Sequence, residues 1–434
     1  MKIFFEYVLI ISMISIFYAC NITPDNEGEL TEYEETNQPP KTIDLTLRQS
    51  EIVNAGNYFA FNIFKEVSAA ANEPNRFFSP LSLNIALGML YNGSSGDTRT
   101  EMSQVLGMAD FTDLEINEYY QKMIKALIEI DPLTETGIAN SIWYSDGLAV
   151  KQPFIDLNTK YFDAKVQALN FIRPDAAKII NAWCAEKTND RITKIVDDPL
   201  DDAIMFLINA LYFKSKWKFK FDKADTQSDD FTKADNQKVK VNMMEQNKVL
   251  SYFSNQYLQC VELPYGNDSS IEEGVTYAQN EKPSGFSMIV ILPVGDMGID
   301  GLIDYMDETV WQIIVENLYY DNVKLKLPRF KIECSILLNE PVKNVGMQKI
   351  FQGGFDNISD ISLAVSKILQ KTFVEVNEEG TEAAAVTIID MVTSDGITPP
   401  SPVSFFANRP FLYFITEKST GAILFIGRMD EPKE

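Results

Sequence analysis

Lys371–Asp395 reads KTFVEVNEEGTEAAAVTIIDMVTSD. Thr372 to Val376 alternates apolar and β-prone residues, which predicts a strand. Asn377-Glu378-Glu379-Gly380 interrupts it, and Gly380 is free to take a positive φ. A second run, Thr381 to Val392, follows without Pro or further Gly. At period two, one of its faces collects Thr381, Ala383, Ala385, Thr387, Ile389 and Met391, small or apolar and uncharged. The other holds Glu382, Ala384, Val386, Ile388, Asp390 and Val392, with both charges. Such a strand can join a sheet with its first face on the core. Ser394-Asp395-Gly396, then Pro399, Pro400 and Pro402, read as exposed loop. Periodicity alone is satisfied by an ordinary β-hairpin.

At the other end of the chain, Lys2 precedes an apolar stretch from Val8 to Phe17 that is too short for a comfortable membrane span. Residues 1–19 read as a signal peptide. Ala19-Cys20 resembles the processing site of bacterial lipoproteins, which implies a lipid on Cys20; Phe17 departs from the aliphatic residue usual there. Plain secretion after cleavage near Ala19 is the alternative. Residues 20–44 are polar and acidic, with Asp25, Glu27, Glu29, Glu32, Glu34 and Glu35. They lack the apolar content to fold and read as a tether that holds a folded domain, residues 45–434, off a membrane surface.

Composition narrows the chemistry. The chain is 45% hydrophobic, which supplies a large core. No internal linker and no repeat divides it. A net charge of −24 argues against nucleic acid and other polyanions as partners. The chain has no histidine, which removes Ser-His-Asp and Cys-His catalysis and most catalytic metal sites. No metal and no cofactor is expected, and no glycine-rich phosphate loop occurs. Carboxylate-pair hydrolysis survives only because acidic residues are abundant. Cys184, Cys260 and Cys334, scattered and odd in number, read as buried free thiols.

Several elements are legible. Tyr58 to Val67 predicts a helix. Ser79-Pro80 starts another, Leu81 to Tyr91, with Ser79 as N-cap and Pro80 at the first helical position. Thr112 to Ile130 predicts a helix pair, and Ile179 to Lys187 a helix. Ala139 to Tyr144 predicts a strand. Ile204 to Phe213 is a continuous apolar strand, and Asn209 in its middle must find a polar partner. Ser287 to Pro293 is another buried strand, and Val323 to Glu333 one more. Residues 266–285 form a polar surface loop. Arg409 to Glu417 and Ala422 to Arg428 close the chain as a hairpin.

GTEAAA after an acidic pair, followed by Asn408-Arg409-Pro410-Phe411, resembles the hinge and reactive-centre loop of serpins. NRFFSPLSLNIALGMLYNGSSGDT from Asn75 resembles the family's shutter segment. INAWCAEKTNDRITKIV from Ile180 and NALYFKSKW from Asn209 extend the likeness across nearly the whole domain. The resemblance implies an α+β fold of three β-sheets and about eight or nine helices, with an exposed reactive-centre loop at residues 380–402. It assigns Glu378, Gly380, Thr381, Glu382, Ala383, Ala384 and Ala385 to the hinge. Ser79, Ser82, Asn209 and Gln370 fall in the shutter, and Trp217 in the breach. Gln370 stands where serpins usually carry a histidine bonded to the central-strand Asn and a shutter Ser. An amide cannot become charged, so the shutter is expected to be insensitive between pH 5 and 8.

The implied activity is protease inhibition rather than enzymatic turnover. A protease cuts the loop, stays attached as an acyl-enzyme, and is carried away as the loop joins the sheet, an example of stored strain. Fourteen residues span roughly 46 Å as a strand. Family spacing puts the cut after Ser394, before Asp395, with Val392 and Thr393 as alternative positions. Small uncharged residues there suit elastase-like or subtilisin-like serine proteases. Asp395 would suit an aspartate-specific one, and papain-type proteases stay open. Thr112 to Ile130 carries only Lys122 and Lys125, so glycosaminoglycan activation is not expected. A monomer is expected, anchored through Cys20 to the outer membrane or surface of a Gram-negative cell. A non-inhibitory binding protein on the same fold is the competing reading; a glycan-processing enzyme is a third.

Overall fold

The Ser79 hydroxyl accepts the Ser82 N–H at 3.1 Å, and Pro80 follows it at the first helical position, so the second helix starts where its capping residues place it. The same logic starts the helix after Thr112, whose side chain and that of Glu115 form a reciprocal capping box. A computed structural model describes residues 38–70, 73–198, 200, 204–266, 284–381 and 401–434. In chain order its elements begin with α1 (Leu47–Ala70), β1 (Arg76–Phe78), α2 (Pro80–Tyr91), α3 (Gly96–Val105) and α4 (Asp113–Glu129). Next come β2 (Thr134–Ser145), α5 (Gln152–Phe162), β3 (Lys165–Leu169), α6 (Ala176–Lys187) and β4 (Met205–Lys216). Then follow β5 (Gln227–Thr232), β6 (Lys238–Ser254), β7 (Leu258–Pro264), β8 (Phe286–Pro293), α7 (Ile299–Tyr305) and α8 (Glu308–Glu316). The chain continues through β9 (Tyr319–Pro328), β10 (Phe330–Leu337), α9 (Asn339–Asn344) and β11 (Leu369–Asn377). It ends with β12 (Gly380–Thr381), β13 (Val403–Phe406), β14 (Phe411–Glu417) and β15 (Ile423–Met429).

Two hydrogen-bonded sheets collect these strands. One is ordered β10-β11-β12-β4-β2-β3. The other runs β1-β15-β14-β8-β7-β6-β9-β13, with β5 on β6. Two of the three sheets that the resemblance implies are thus joined, because β6 is 17 residues long and pairs with β5, β9 and β7 along its length. β8 is buried at every position, as a continuous apolar run between two neighbours should be. One face of the six-stranded sheet meets the main core through Ile142, Leu211 and Phe213. The other is covered by α6, where Trp143, Ile180, Trp183, Cys184, Ile208 and Ala210 form a second cluster.

Some boundaries differ from the sequence reading. α1 extends eleven residues before Tyr58, since nothing from Leu47 onward breaks the helix. Residues 113–129 form one helix rather than a pair. The strand expected at Val323 to Glu333 is two, parted at Arg329 after Pro328. Cys184 and Cys260 are buried thiols as expected, while Cys334 is half-buried. The tether reading of residues 20–44 is corrected at its end: Pro40 and Ile43 are buried against the body, because both are apolar and the body offers them a seat. Cys20 and the rest of that segment to residue 37 lie outside the described residues, as do residues 267–283.

Candidate functional site

β11 ends at Asn377 and the chain turns back at once, so that Gly380 and Thr381 pair with β11 on one side and β4 on the other. Thr381 opposes Val376 and Ser215; Gly380 opposes Asn377 and Lys216. Gly380 has φ +151°, and a Cβ there would stand 2.2 Å from the Ser215 carbonyl oxygen and 2.6 Å from Lys216 Cα. Only glycine fits between those backbones. Thr381 is 1% exposed, and its hydroxyl meets the Tyr265 hydroxyl at 2.7 Å. Burial pushes the Tyr265 phenol well above its usual range, so it stays neutral. Tyr265 stacks on Trp217 with ring centroids 4.5 Å apart and planes 11° from parallel. Trp217 in turn donates its indole N–H to the Asn377 carbonyl and its main-chain N–H to the Glu379 carbonyl, both at 2.9 Å.

The acidic pair before Gly380 is neutralised in place. Glu378 accepts from Arg329 Nε at 2.7 Å and from the Thr226 hydroxyl, and Phe221 N–H donates to its carbonyl at 3.0 Å. Burial opposes its charge, but the Arg329 and Thr226 hydrogen bonds outweigh that and hold the carboxyl below its ordinary range. Glu379 meets Lys220 at 3.0 Å and Lys223 at 3.2 Å. Burial again raises and the two lysines lower, with a lowered carboxyl as the result.

Further down the sheet, Gln370 is 7% exposed and grips the main chain of Ser79. It accepts the Ser79 N–H at 2.8 Å and donates to the Ser79 carbonyl at 2.8 Å. The Ser79 hydroxyl donates to the Leu424 carbonyl at 2.7 Å. Ser79, Ser82 and Gln370 are therefore brought together. Asn209 is not joined to Gln370. It donates to Asn140 Oδ1 at 2.6 Å, because Asn140 is its direct partner across the β2–β4 ladder. Among the described residues, Asn209 Oδ1 is buried without a hydrogen-bond partner.

Trp217, Glu378, Gly380 and Thr381 are thus assembled at the head of the sheet. Glu382, Ala383, Ala384, Ala385, Val392, Thr393, Ser394 and Asp395 lie outside the described residues. Tyr265, Arg329, Thr226, Lys220 and Lys223 escaped the sequence reading. Alternation of Lys and aromatic residues from Lys216 to Phe221 was the available signal for two-sided packing there.

A sequence model of the family Serpin (serine protease inhibitor) matches residues 54–432. The chain belongs to the serpin family. This serpin is 31% identical over 396 residues to a serpin-like protein of Thermococcus kodakarensis, covering 89% of this chain and 87% of that one. It is 30% identical to Iripin-8 of Ixodes ricinus over 409 residues, 89% of this chain and 97% of that one. Among solved structures, the thermophilic serpin tengpin in its native state superposes with a TM-score of 0.77 at 28% identity, over 92% of this chain and 98% of that one. Human thyroxine-binding globulin, solved in complex with thyroxine, shares the fold with a TM-score of 0.77 at 23% identity, over 89% of this chain and all of that one. The serpin carries a protease-inhibitor fold, and the fold alone does not fix the use made of it.

Proposed function

We propose that this serpin is a working inhibitor that traps its target protease by loop insertion. The observation that supports this most is the seat of Gly380 and Thr381, already paired on both sides between β11 and β4. Continued in the same register, the run to Met391 would match β4 residue for residue to Met205. Six residues beyond Thr381, Thr387 would come to lie between Gln370 and Asn209, whose side-chain oxygen has no partner among the described residues. The uncharged face of the run would meet the core and leave no buried charge to slow the motion.

In this reading the protease's nucleophilic hydroxyl attacks the Ser394 carbonyl. The bond to Asp395 breaks, the Asp395 amine takes a proton and leaves, and an ester joins Ser394 to the protease. Insertion then outruns hydrolysis of that ester. Small uncharged residues from Val392 to Ser394 suit an elastase-like or subtilisin-like enzyme. A lipid on Cys20 would keep the inhibitor at the envelope of a Gram-negative cell. Incubation with a pancreatic elastase and a denaturing gel tests the function. A band at the summed mass, stable to boiling, is the expected result; complete nicking of the loop with no such band would leave a substrate or a binding protein instead.

A further inference from the structure

Arg76 and Arg428 face each other across the β1–β15 ladder, and only one of them is neutralised. Arg428 donates to Asp430 Oδ2 at 2.5 Å and to Asp300 Oδ1 at 2.6 Å. Arg76 is 5% exposed, and its guanidinium donates to the Asn75 carbonyl at 2.8 Å. Among the described residues it pairs with no carboxylate, and its Nε–H is buried without an acceptor. Burial lowers the pKa of both arginines; at Arg428 the two aspartates more than restore it, while at Arg76 burial prevails. A buried cation with most of its five N–H groups unused is costly, and an anion is the partner that relieves it.

The Arg76 side chain forms one wall of an open cavity of about 530 Å³ between the end of α1, β1, the β5–β6 turn and the end of β15. That volume suits a small ligand. Ser68, on the α1 wall, has a buried hydroxyl that is also without a partner among the described residues. The rest of the lining argues against a bare anion. Its three cations, Arg76, Lys233 and Arg428, face five acids, Glu73, Asp235, Asp300, Asp430 and Glu431, an excess of two negative charges. Beside them α1 ends with no basic residue in its last turn, so its carbonyl end adds partial negative charge. A ligand that fits brings a carboxylate to Arg76 and a positive charge to the acidic rim.

We propose that this cavity binds a molecule or chain end with an α-carboxylate and a cationic side chain: free lysine or arginine, or the last residue of a peptide that ends in one of them. The carboxylate takes the unused N–H groups of Arg76 and the Ser68 hydroxyl, and the cationic end reaches Glu73 and its acidic neighbours. The cavity shares no residue with the hinge, shutter or breach, so the inference stands apart from the inhibitor reading.

The test is isothermal titration calorimetry of the full chain with L-lysine, L-lysinamide, Nα-acetyl-L-lysine and L-glutamate as probes. Lysine is expected to bind. Lysinamide, which lacks the carboxylate, and glutamate, which brings a second negative charge, should bind about tenfold more weakly or less. Nα-acetyl-lysine bound as well as lysine supports the proposal with a peptide end as the ligand; about tenfold weaker binding supports it with the free amino acid. Arg76→Gln should weaken lysine binding about tenfold or more, and Ser68→Ala about twofold to fivefold. Unchanged affinity in Arg76→Gln or, where that variant does not fold, in Ser68→Ala overturns the assignment. So does lysinamide bound as tightly as lysine, since that is attraction to an acidic surface alone. Lysine binding no tighter than about 10 mM overturns it as well.

Discussion

Tyr265 and Thr381 present a hydrogen bond that is buried on both sides and that links the loop to the body. Tyr265→Phe leaves the Thr381 hydroxyl without that partner, and Thr381→Val leaves the phenol without it. Each single change should cost about 1–3 kcal/mol, the penalty of an orphaned buried polar group. The double variant replaces both groups by apolar ones of similar shape and should cost less than about 1 kcal/mol. With single losses of about 2 kcal/mol each and a double loss under about 1, the coupling between the two positions is about 3–4 kcal/mol. For the roughly 400 residues of Pro39–Glu434, unfolding entropy near 0.8 kcal/mol per degree turns 2 kcal/mol into about 2.5 °C. Differential scanning calorimetry on the intact chain and the three variants reads this directly. Two single variants lowered by about 2 °C each, with the double restored, support the seat described for Thr381. Strictly additive losses would mean that the hydroxyls do not meet in the intact protein, and the reasoning from this contact would be refuted.

Gly380→Ala places a methyl group against the Ser215 and Lys216 backbone, so the turn must leave the sheet; the expected outcome is a fall of severalfold in the ratio of trapped protease to nicked inhibitor on a gel. Glu378→Gln removes the carboxylate that faces Arg329 and should cost about 2 kcal/mol, read as a lower midpoint in urea. The carboxyls of Glu378 and Glu379 sit below the ordinary value of 4.5 in the folded chain, so the stability they contribute is present above about pH 4.5 and is lost as pH falls through the folded values. Susceptibility to a protease active in acid should therefore rise below that pH in the native chain, and less steeply in Glu378→Gln. Asn209→Ala should cost the nicked chain more than the intact one, because its side-chain oxygen has no partner among the described residues and the inserted loop would supply one; equal melting losses in both forms would contradict that.

Local chemistry carried much of the fold into view. Ser79 and Pro80 announced α2, and the unbroken apolar run at Ser287 announced a strand buried between neighbours. Asn209 was read as needing a partner, but its partner is a matter of register. Asn140 and Asn209 lie far apart in the chain and meet only because β2 and β4 pair as they do. Periodicity within one strand carries no information about that offset. Tyr265 is hidden for the same reason: it follows the end of β7 and becomes meaningful only when a segment more than a hundred residues later is laid against it. The inward turn at Pro40 and Ile43 was hidden by composition, since two apolar residues in an acidic stretch do not raise its mean hydropathy enough to mark a contact.

In the proposed inhibitor, the loop gains free energy by joining the sheet. Residues 382–391 would add about twenty main-chain hydrogen bonds at about 1 kcal/mol each, against about 1–1.5 kcal/mol per residue for ordering them. The difference, about 5–10 kcal/mol, corresponds to a rise of roughly 10 °C in melting temperature at the entropy used above. The direct measurement is calorimetry of the chain before and after a single cut between Met391 and Gly396. A rise of that size or larger is the predicted result; a nicked chain that melts at the temperature of the intact one would contradict the claim.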